Sequence, residues 1–207
     1  MEKSKLFHSD RSPYVRKVMA TLHEVNLLES VEIVSVRTNP LGVIDDLVGV
    51  SPLGKIPTLI LADGTAIFDS RVICSYFNAV GKSDLYLASK SLEWSIKTAE
   101  ANFDGILDAA LLMVYENRFR DKEHQSSEWL ENLWRKIEHT LDYYNNKPAE
   151  IISGRLNMAQ IALGCALGYL DYRHDNRGWR KKNRYLRDWF SEFSERPSMI
   201  NTGPRSD

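Results

Sequence analysis

The apolar positions in the first third of the chain change period twice, which indicates short strands and a helix between them. Residues 5–8 are a short run of strand length around Leu6 and Phe7, and residues 31–36 alternate with β-branched residues as a second strand. Between them, apolar residues recur every three or four positions, and Ser12 with Pro13 forms a helix start, as N-cap and first helical residue. This order predicts a βαβ unit. The apolar residues of the helix are Val15, Val18, Met19, Leu22 and Val25.

A hairpin and a capped helix follow this unit. Residues 58–61 and 65–68 are strand-like runs on either side of the tight-turn dipeptide Asp63-Gly64. Directly after the second run, Asp69 or Ser70 is placed as the N-cap of a helix with apolar residues at helical spacing. The βαβ unit is therefore joined to a ββα unit, which is the arrangement of a thioredoxin-like domain.

Beyond residue 90 the apolar period is helical throughout. Residues 92–114 and 130–144 carry apolar side chains at steps of three and four, which predicts two long helices. A third helix begins at the N-cap Asn157, and Gln160 is positioned to reach back to the N–H of this cap. The last predicted helix closes at Arg196-Pro197-Ser198, and we expect the tail after it to be irregular.

These elements predict a two-domain fold class, an α/β thioredoxin-like N-terminal domain plus an all-α helical-bundle C-terminal domain. The first domain is expected over residues 1–80, a linker over 81–90 and the second domain over 91–207. A chain of 207 residues with 43% hydrophobic content can bury a sizeable core, either as one large domain or as two small ones.

Charge and composition exclude several classes of partner. Lys and Arg total 27 against 28 Asp and Glu, so the net charge of −1 does not favour nucleic acid or an anionic membrane. A basic cluster at residues 177–184 is interpreted as a solvated face. There is no apolar run of membrane-spanning length and no signal-peptide core, so we expect a cytoplasmic protein. Cys74 and Cys165 fall on apolar helix faces without metal-ligand spacing, so we expect neither a disulfide nor a metal.

The entry to the third strand is a candidate binding site. Pro57 cannot donate to a sheet ladder, so it stands at the first residue of a strand or at an edge, in the trans or the cis form. The proline pushes Ile56 into an extended conformation and leaves its N–H and C=O without an obvious strand partner. These two groups can pair with an extended ligand backbone. The helix start at Asp69-Ser70 adds a carboxylate receptor, because free N–H groups and a Ser hydroxyl meet there.

The order and spacing of these features resemble a bacterial glutathione transferase, over the chain from Lys5 to Pro197. The resemblance implies a thioredoxin-like domain that binds glutathione, an all-helical domain that supplies the pocket of a second substrate, and a homodimer. The sequence departs from the family at Asn157 and Gln160, where the family usually has Ser or Thr followed by Asp. The motifs that carry the resemblance are Ser12-Pro13-Tyr14-Val15-Arg16-Lys17, Leu53-Gly54-Lys55-Ile56-Pro57, Asp69-Ser70 and the helix that begins at Asn157.

The resemblance also implies that the thiol of glutathione is activated near the first helix. A thiol is nucleophilic only as the thiolate, and a free thiol is mostly protonated at neutral pH. A hydroxyl at a helix N-terminus can lower the thiol pKa by donating a hydrogen bond to the thiolate. Ser12 is the candidate donor and Ser9 is the reserve. The alternative for Ser12 is that it is only the N-cap.

The other glutathione contacts follow by position. The backbone of Ile56, beside Pro57, should pair with the cysteinyl part of glutathione, and Lys55 should neutralise the glycyl carboxylate. Asp69 should take the γ-glutamyl ammonium and Ser70 the γ-glutamyl carboxylate.

Further candidates have weaker support. Arg71 is a second candidate at the γ-glutamyl end. Tyr14, Tyr115 and Arg118 are candidates for the pocket of the second substrate, although aromatic residues at helical spacing are more often part of a core.

The sequence therefore predicts a detoxifying glutathione transferase that conjugates the thiolate to a small electrophilic hydrophobic compound, with glutathione as co-substrate and no other cofactor. Position 12 is Ser, whereas family members that form mixed disulfides with glutathione usually have Cys there. Two alternatives stay open. One is a glutathione-dependent reductase or isomerase, and the other is a non-catalytic interaction or regulatory protein of the stringent-starvation type.

Overall fold

The structure, a computed structural model, describes residues 3–37, 39–42, 45–86, 92–146 and 150–204. Residues 87–90 of the predicted linker lie outside these ranges. The chain divides into two compact units, a first unit of Met1–Asp84 with Ile200–Asp207 and a second unit of Leu85–Met199.

The first unit is a four-stranded mixed sheet with helices. The strands lie in the order β2-β1-β3-β4, with β1 parallel to β2 and antiparallel to β3, and with β3 antiparallel to β4. This is the topology of the predicted βαβ and ββα units. Its elements are β1 (Ser4–His8), α1 (Pro13–Glu24), β2 (Val31–Ser35), α2 (Asp45–Val48), β3 (Thr58–Ile60), β4 (Ala66–Ile67) and α3 (Ser70–Val80).

The core of this unit lies between the sheet and the two long helices. Leu6 and Leu59, neighbours across β1 and β3, are fully buried, as are Leu22 of α1 and Ile73 of α3. Helices α1 and α3 pack against each other. The apolar pattern did not identify Lys17, which is also fully buried in α1 although it occupies a polar position in that pattern.

The second unit is all-helical, as predicted. Helix α7 is buried along nearly its whole length and packs against α4 and α9, while α5 packs against α4 and α9. Within the described part of the chain, none of the helices combines the length and hydropathy that a membrane span requires. The helices from residue 93 onward are α4 (Glu93–Phe119), α5 (Ser127–Asn146), α6 (Glu150–Ser153), α7 (Met158–His174), α8 (Trp179–Lys182), α9 (Arg184–Phe193) and α10 (Pro197–Asn201).

Two details of the sequence analysis are wrong. The tail after Ser198 is not wholly irregular, because helix α10 runs from Pro197 to Asn201. The proline at its first position costs no hydrogen bond, and Met199 is buried. Gln160 does not reach the N–H of the cap among the described residues. Its amide nitrogen instead donates to the carbonyls of Ile151, Gly154 and Arg155, at 3.1 to 3.2 Å.

The cap of α7 itself is as predicted, since Asn157 Oδ1 accepts from the N–H of Gln160 at 3.2 Å. The Asn157 amide nitrogen also donates to Ile151 O, at 2.8 Å. Both amide side chains therefore donate hydrogen bonds to the segment before α7 and hold it against the start of the helix. A carboxylate cannot do this, because it has no hydrogen-bond donor.

The basic cluster is largely ion-paired. Arg177 lies 2.6 Å from Glu131, and Lys182 lies 2.9 Å from Glu138. Arg180 binds both carboxylate oxygens of Asp171, which raises the pKa of the guanidinium. These acidic partners reduce the positive potential that a nucleic-acid site would need.

Candidate functional site

The strand register gathers the predicted site residues at one edge of the sheet. Phe7 of β1 lies opposite Thr58 of β3, and Leu59 lies opposite Ile67 of β4. Extending the β1–β3 pairing by one residue places Pro57 opposite His8. Extending the β3–β4 pairing by two residues places Pro57 opposite Asp69. The loop that follows β1, the segment that enters β3 and the start of α3 therefore meet at the same edge.

Two helices begin at this edge. Ser12 is the N-cap of α1 and Asp69 is the N-cap of α3, both with extended backbone angles and a side chain that accepts a helix N–H. Each helix start carries partial positive charge and free N–H groups. The edge is thus suited to a ligand with negatively charged groups.

Ser12 is half-buried, and its hydroxyl oxygen accepts from the N–H of Val15 at 3.3 Å. Its own N–H donates to Ser9 O at 3.0 Å, which fixes the loop before the helix. Among the described residues, the Ser12 hydroxyl proton has no acceptor. The N-cap prediction is therefore correct, and the hydroxyl can still donate a hydrogen bond to a ligand.

The segment before β3 presents unused backbone groups. The Ile56–Pro57 peptide bond is cis, Pro57 is buried and Ile56 is half-buried. Neither the N–H nor the C=O of Ile56 forms a hydrogen bond within the described ranges. The exposed Lys55 contributes its carbonyl as acceptor for the Thr58 hydroxyl, at 2.7 Å, which fixes the backbone just before Ile56.

The start of α3 places one exposed and one buried polar side chain next to each other. One carboxylate oxygen of Asp69 accepts from the N–H of Arg71 at 3.0 Å, and the other lies 3.6 Å from the Arg71 guanidinium. The Asp69 side chain is 60% exposed, so its second oxygen is accessible to a ligand. Ser70 is buried. Arg71, the weaker candidate, is therefore a partner of Asp69.

The candidates for a second-substrate pocket fall on both units. Tyr14 lies half-buried on α1 of the first unit. Tyr115 and Arg118 lie about one turn apart on α4 of the second unit, and both contact Phe119. The Tyr115 and Phe119 rings meet edge-on at 5.8 Å, and the exposed Arg118 guanidinium lies 5.7 Å from the Phe119 ring centroid. Burial raises the pKa of Tyr115.

Sequence analysis did not single out three polar residues of α7, Tyr169, Tyr172 and Arg173, of which Tyr169 interacts electrostatically with Tyr115. Tyr169 also interacts electrostatically with Tyr172 and Arg173. Burial raises the pKa of Tyr169 to about 12, although Arg173 opposes the rise. The spacing of Tyr169, Tyr172 and Arg173 on one helix was the available signal, but their helix carries no amphipathic pattern that would identify an exposed face.

The described residues hold no cluster of three or more His, Cys, Asp or Glu side chains that could bind a metal ion.

Sequence comparisons match both parts of the chain. The glutathione S-transferase N-terminal domain matches residues 11–80, and the glutathione S-transferase C-terminal domain matches residues 127–192. The chain is 30% identical over 203 residues to the "Uncharacterized GST-like protein YibF" of Escherichia coli strain K12, an alignment that covers 97% of this chain and 98% of that protein.

Structural comparisons agree. A glutathione transferase family member from Pseudomonas fluorescens Pf-5, crystallised with bound glutathione, has a TM-score of 0.94 and 37% identity, over 99% of this chain and 100% of that chain. A second crystal structure, of a family member from the same strain with bound S-(propanoic acid)-glutathione, has a TM-score of 0.90 and 38% identity, over 98% of this chain and 100% of that chain. These matches confirm the predicted fold class, and the chain belongs to the glutathione transferase superfamily.

Proposed function

We propose that the protein is a glutathione transferase that conjugates the thiolate of glutathione to a small electrophilic, partly apolar compound. The observation that carries the proposal is the Ser12 hydroxyl, which caps α1 through its oxygen and keeps its proton available for a ligand. The relatives from Pseudomonas fluorescens, with bound glutathione and bound S-(propanoic acid)-glutathione, support glutathione as the co-substrate.

In this proposal glutathione binds in an extended conformation along the sheet edge. The unused N–H and C=O of Ile56 pair with the backbone of the cysteinyl residue, as an added strand would. Lys55 neutralises the glycyl carboxylate. The exposed oxygen of Asp69 takes the γ-glutamyl ammonium, and Ser70 with the start of α3 takes the γ-glutamyl carboxylate.

Thiol activation is assigned to Ser12 in the same proposal. A hydroxyl whose oxygen already accepts a hydrogen bond is polarised and becomes a better donor. Donation from Ser12 to the sulfur, together with the positive end of α1, favours the thiolate and lowers the thiol pKa. The proton leaves to solvent, the sulfur forms a bond to the electrophilic carbon, and the electron pair of the broken bond goes to the leaving group or to the adjacent carbon.

Reduction, isomerisation and a purely regulatory role are the competing functions. Ser12 cannot form a mixed disulfide with glutathione, which disfavours thiol oxidoreductase chemistry. The backbone groups of Ile56 and the carboxylate of Asp69 are available to glutathione. They favour glutathione binding over a regulatory role in which the protein no longer binds glutathione. A homodimeric state, a cytoplasmic location and a role in detoxification belong to the proposal on the strength of the family alone.

The proposal is tested first by calorimetry with glutathione and then by turnover of a broad panel of electrophiles. We expect saturable binding and conjugation of at least one electrophile. Absence of binding at millimolar glutathione would rule out the transferase and the reductase together. Binding without turnover of any electrophile would favour a regulatory protein, and turnover of disulfides or peroxides would favour a reductase.

A further inference from the structure

The outer face of α5 holds a cleft that the proposed glutathione contacts do not use. The cleft has a volume of about 430 Å³, which is within the range of small-molecule sites, about 300–1,000 Å³. Its lining residues all come from the first half of α5 and the residue before this helix, so the cleft lies wholly within the second unit. We call it the α5 cleft, and it is lined by Ser126, Glu128, Trp129, Asn132 and Arg135.

Three polar residues of the cleft form one stripe along the helix. Glu128, Asn132 and Arg135 are spaced by four and three residues, so they lie on the same face of α5. All three residues are exposed. None of the three side chains forms a hydrogen bond or an ion pair in the part of the chain that the structure describes. The stripe therefore presents an acid, an amide and a base that a ligand can reach.

The local sequence explains why the two charges of the stripe have no partner on their own helix. Arg135 has one acid a turn before it, Glu131, and another a turn after it, Glu138. Glu131 and Glu138 are instead ion-paired, at 2.6 and 2.9 Å, with basic residues that follow α7. Glu128 has no basic residue three or four positions further along α5. The cleft therefore keeps one charge of each sign, whereas the acids of the neighbouring face are neutralised.

An exposed aromatic ring borders the stripe. Trp129 is 42% exposed, and Lys136 Nζ lies 5.9 Å from the centroid of its ring. An exposed indole offers a large, rigid apolar surface to a ligand. The α5 cleft thus combines groups for both ends of a zwitterion with a surface for its apolar part.

The length of the stripe indicates the size of the ligand. Glu128 and Arg135 are seven residues apart, which is about 10 Å along a helix that rises about 1.5 Å per residue. A free amino acid carries its ammonium and its carboxylate on one carbon, so it is too short to reach both residues. An extended chain of three residues spans about 10 Å, at about 3.3–3.6 Å per residue. Asn132 lies between the two charges, and its amide can both donate to and accept from a peptide group.

We infer that the α5 cleft binds a short α-linked peptide with free ends, about three residues long. The peptide lies along α5 with its ammonium on Glu128, its carboxylate on Arg135 and a peptide group on Asn132. Its central side chain is apolar or aromatic and packs on the Trp129 ring. Glutathione fits less well, because its ammonium and one carboxylate share a carbon and Glu128 repels that carboxylate. The inference does not depend on the proposed transferase activity.

Calorimetry at low salt with the tripeptide Ala-Phe-Ala tests the site. The wild-type protein is expected to bind it about three- to tenfold more tightly than the N-acetylated or the C-amidated peptide, because each blocked end loses one exposed ion pair. Glu128→Gln should weaken binding of the free peptide by a similar factor and should no longer distinguish it from the acetylated one. Arg135→Met should do the same for the amidated peptide. Trp129→Ala should weaken binding of Ala-Phe-Ala more than binding of Ala-Gly-Ala.

Two matched controls remove exposed charges outside the cleft. Glu123→Gln and Arg184→Met should bind all of these peptides as the wild type does. Thermal unfolding verifies that each variant is folded. Absence of saturable Ala-Phe-Ala binding by the wild type, or equal binding of the free and the blocked peptides, would overturn the peptide site. Either result leaves the proposed function standing, because calorimetry with glutathione tests that function separately.

Discussion

At the residue scale, Asp69 combines a structural and a ligand-binding role that one substitution can separate. Its carboxylate caps α3 through the N–H of Arg71 and still exposes an oxygen. Asp69→Ala should cost about 1 kcal/mol of folding free energy through the lost cap. It should weaken glutathione binding by about 2–3 kcal/mol, because the ligand ammonium loses its partner. Calorimetry and urea unfolding measure the two effects.

The matched control is Asp63→Ala. Asp63 is an exposed aspartate in the hairpin turn that accepts from the N–H of Thr65 at 2.8 Å, so its removal costs a similar backbone hydrogen bond away from the site. We expect glutathione affinity to be unaffected by this change. If Asp69→Ala lowers stability but leaves the affinity for glutathione unchanged, Asp69 acts only as the N-cap of α3.

His174 makes a residue-scale prediction about pH. It is buried, its Nε2 lies 2.9 Å from Ala110 O, and burial, with smaller contributions from Arg177 and Arg173, lowers its pKa below 6.5. The unfolded chain therefore binds a proton below pH 6.5 that the folded state takes up only at lower pH. Stability should fall as pH drops below 6.5, by at most about 1.4 kcal/mol per pH unit from this group.

Urea unfolding between pH 8 and pH 5 measures that slope. His174→Gln keeps a hydrogen-bond donor but does not titrate, so its stability should depend less on pH in this range than that of the wild type. His139→Gln, which changes an exposed histidine of α5, should retain the slope of the wild type. Identical slopes for wild type and His174→Gln would contradict the assignment.

At the scale of elements, the packing of α7 against α9 depends on Gly164. A Cβ at this position would lie 2.7 Å from the Phe193 ring and 3.1 Å from Met199. Gly164→Ala should therefore destabilise the protein, because overpacking costs about 1–3 kcal/mol and exceeds the helix-propensity gain of about 1 kcal/mol. Gly105→Ala on α4 has no atom within 4 Å of its Cβ and should be neutral or stabilising. Thermal unfolding of the two variants tests this, and a Gly164→Ala melting temperature equal to or above that of the wild type would show that the helices separate easily.

The element pattern of the sequence predicted most of the fold because each signal is local. Caps at Ser12, Asp69 and Asn157 coincide with the starts of α1, α3 and α7. The features that the sequence did not predict depend on contacts that no residue pattern shows. The Gln160 amide donates to carbonyls of α6 and of the segment that follows it, and the apolar pattern cannot show that Lys17 is buried.

At the scale of the whole molecule, the candidate glutathione site was more predictable than the second-substrate site. The first is formed by short motifs next to strand ends, and the sheet register brings those motifs together. Tyr169, Tyr172 and Arg173 lie on α7, which is buried on nearly all sides and therefore has no amphipathic pattern that separates polar positions of interest from core positions. Tyr115 and Arg118 of α4 were candidates from the sequence and stay predictions for the pocket of a second substrate.

Thiol activation by Ser12 is the central step of the proposed function. If the Ser12 hydroxyl holds the thiolate, Ser12→Ala should bind glutathione nearly as well but lose turnover by about ten- to a thousandfold, as expected when one donor to a charge is removed. If Ser12 is only the N-cap, the same change should cost about 1 kcal/mol of stability and leave the pH–rate profile unchanged.

Ultraviolet titration of the thiolate of bound glutathione measures this activation most directly. For the wild-type protein we predict a bound thiol pKa of about 7.5 or lower, against about 8.5 for a free cysteine thiol. For Ser12→Ala we predict a pKa that returns towards the free value. A bound thiol that titrates at the same pH in wild type and Ser12→Ala would contradict the account and assign the activation to Ser9 or to the N–H groups at the start of α1.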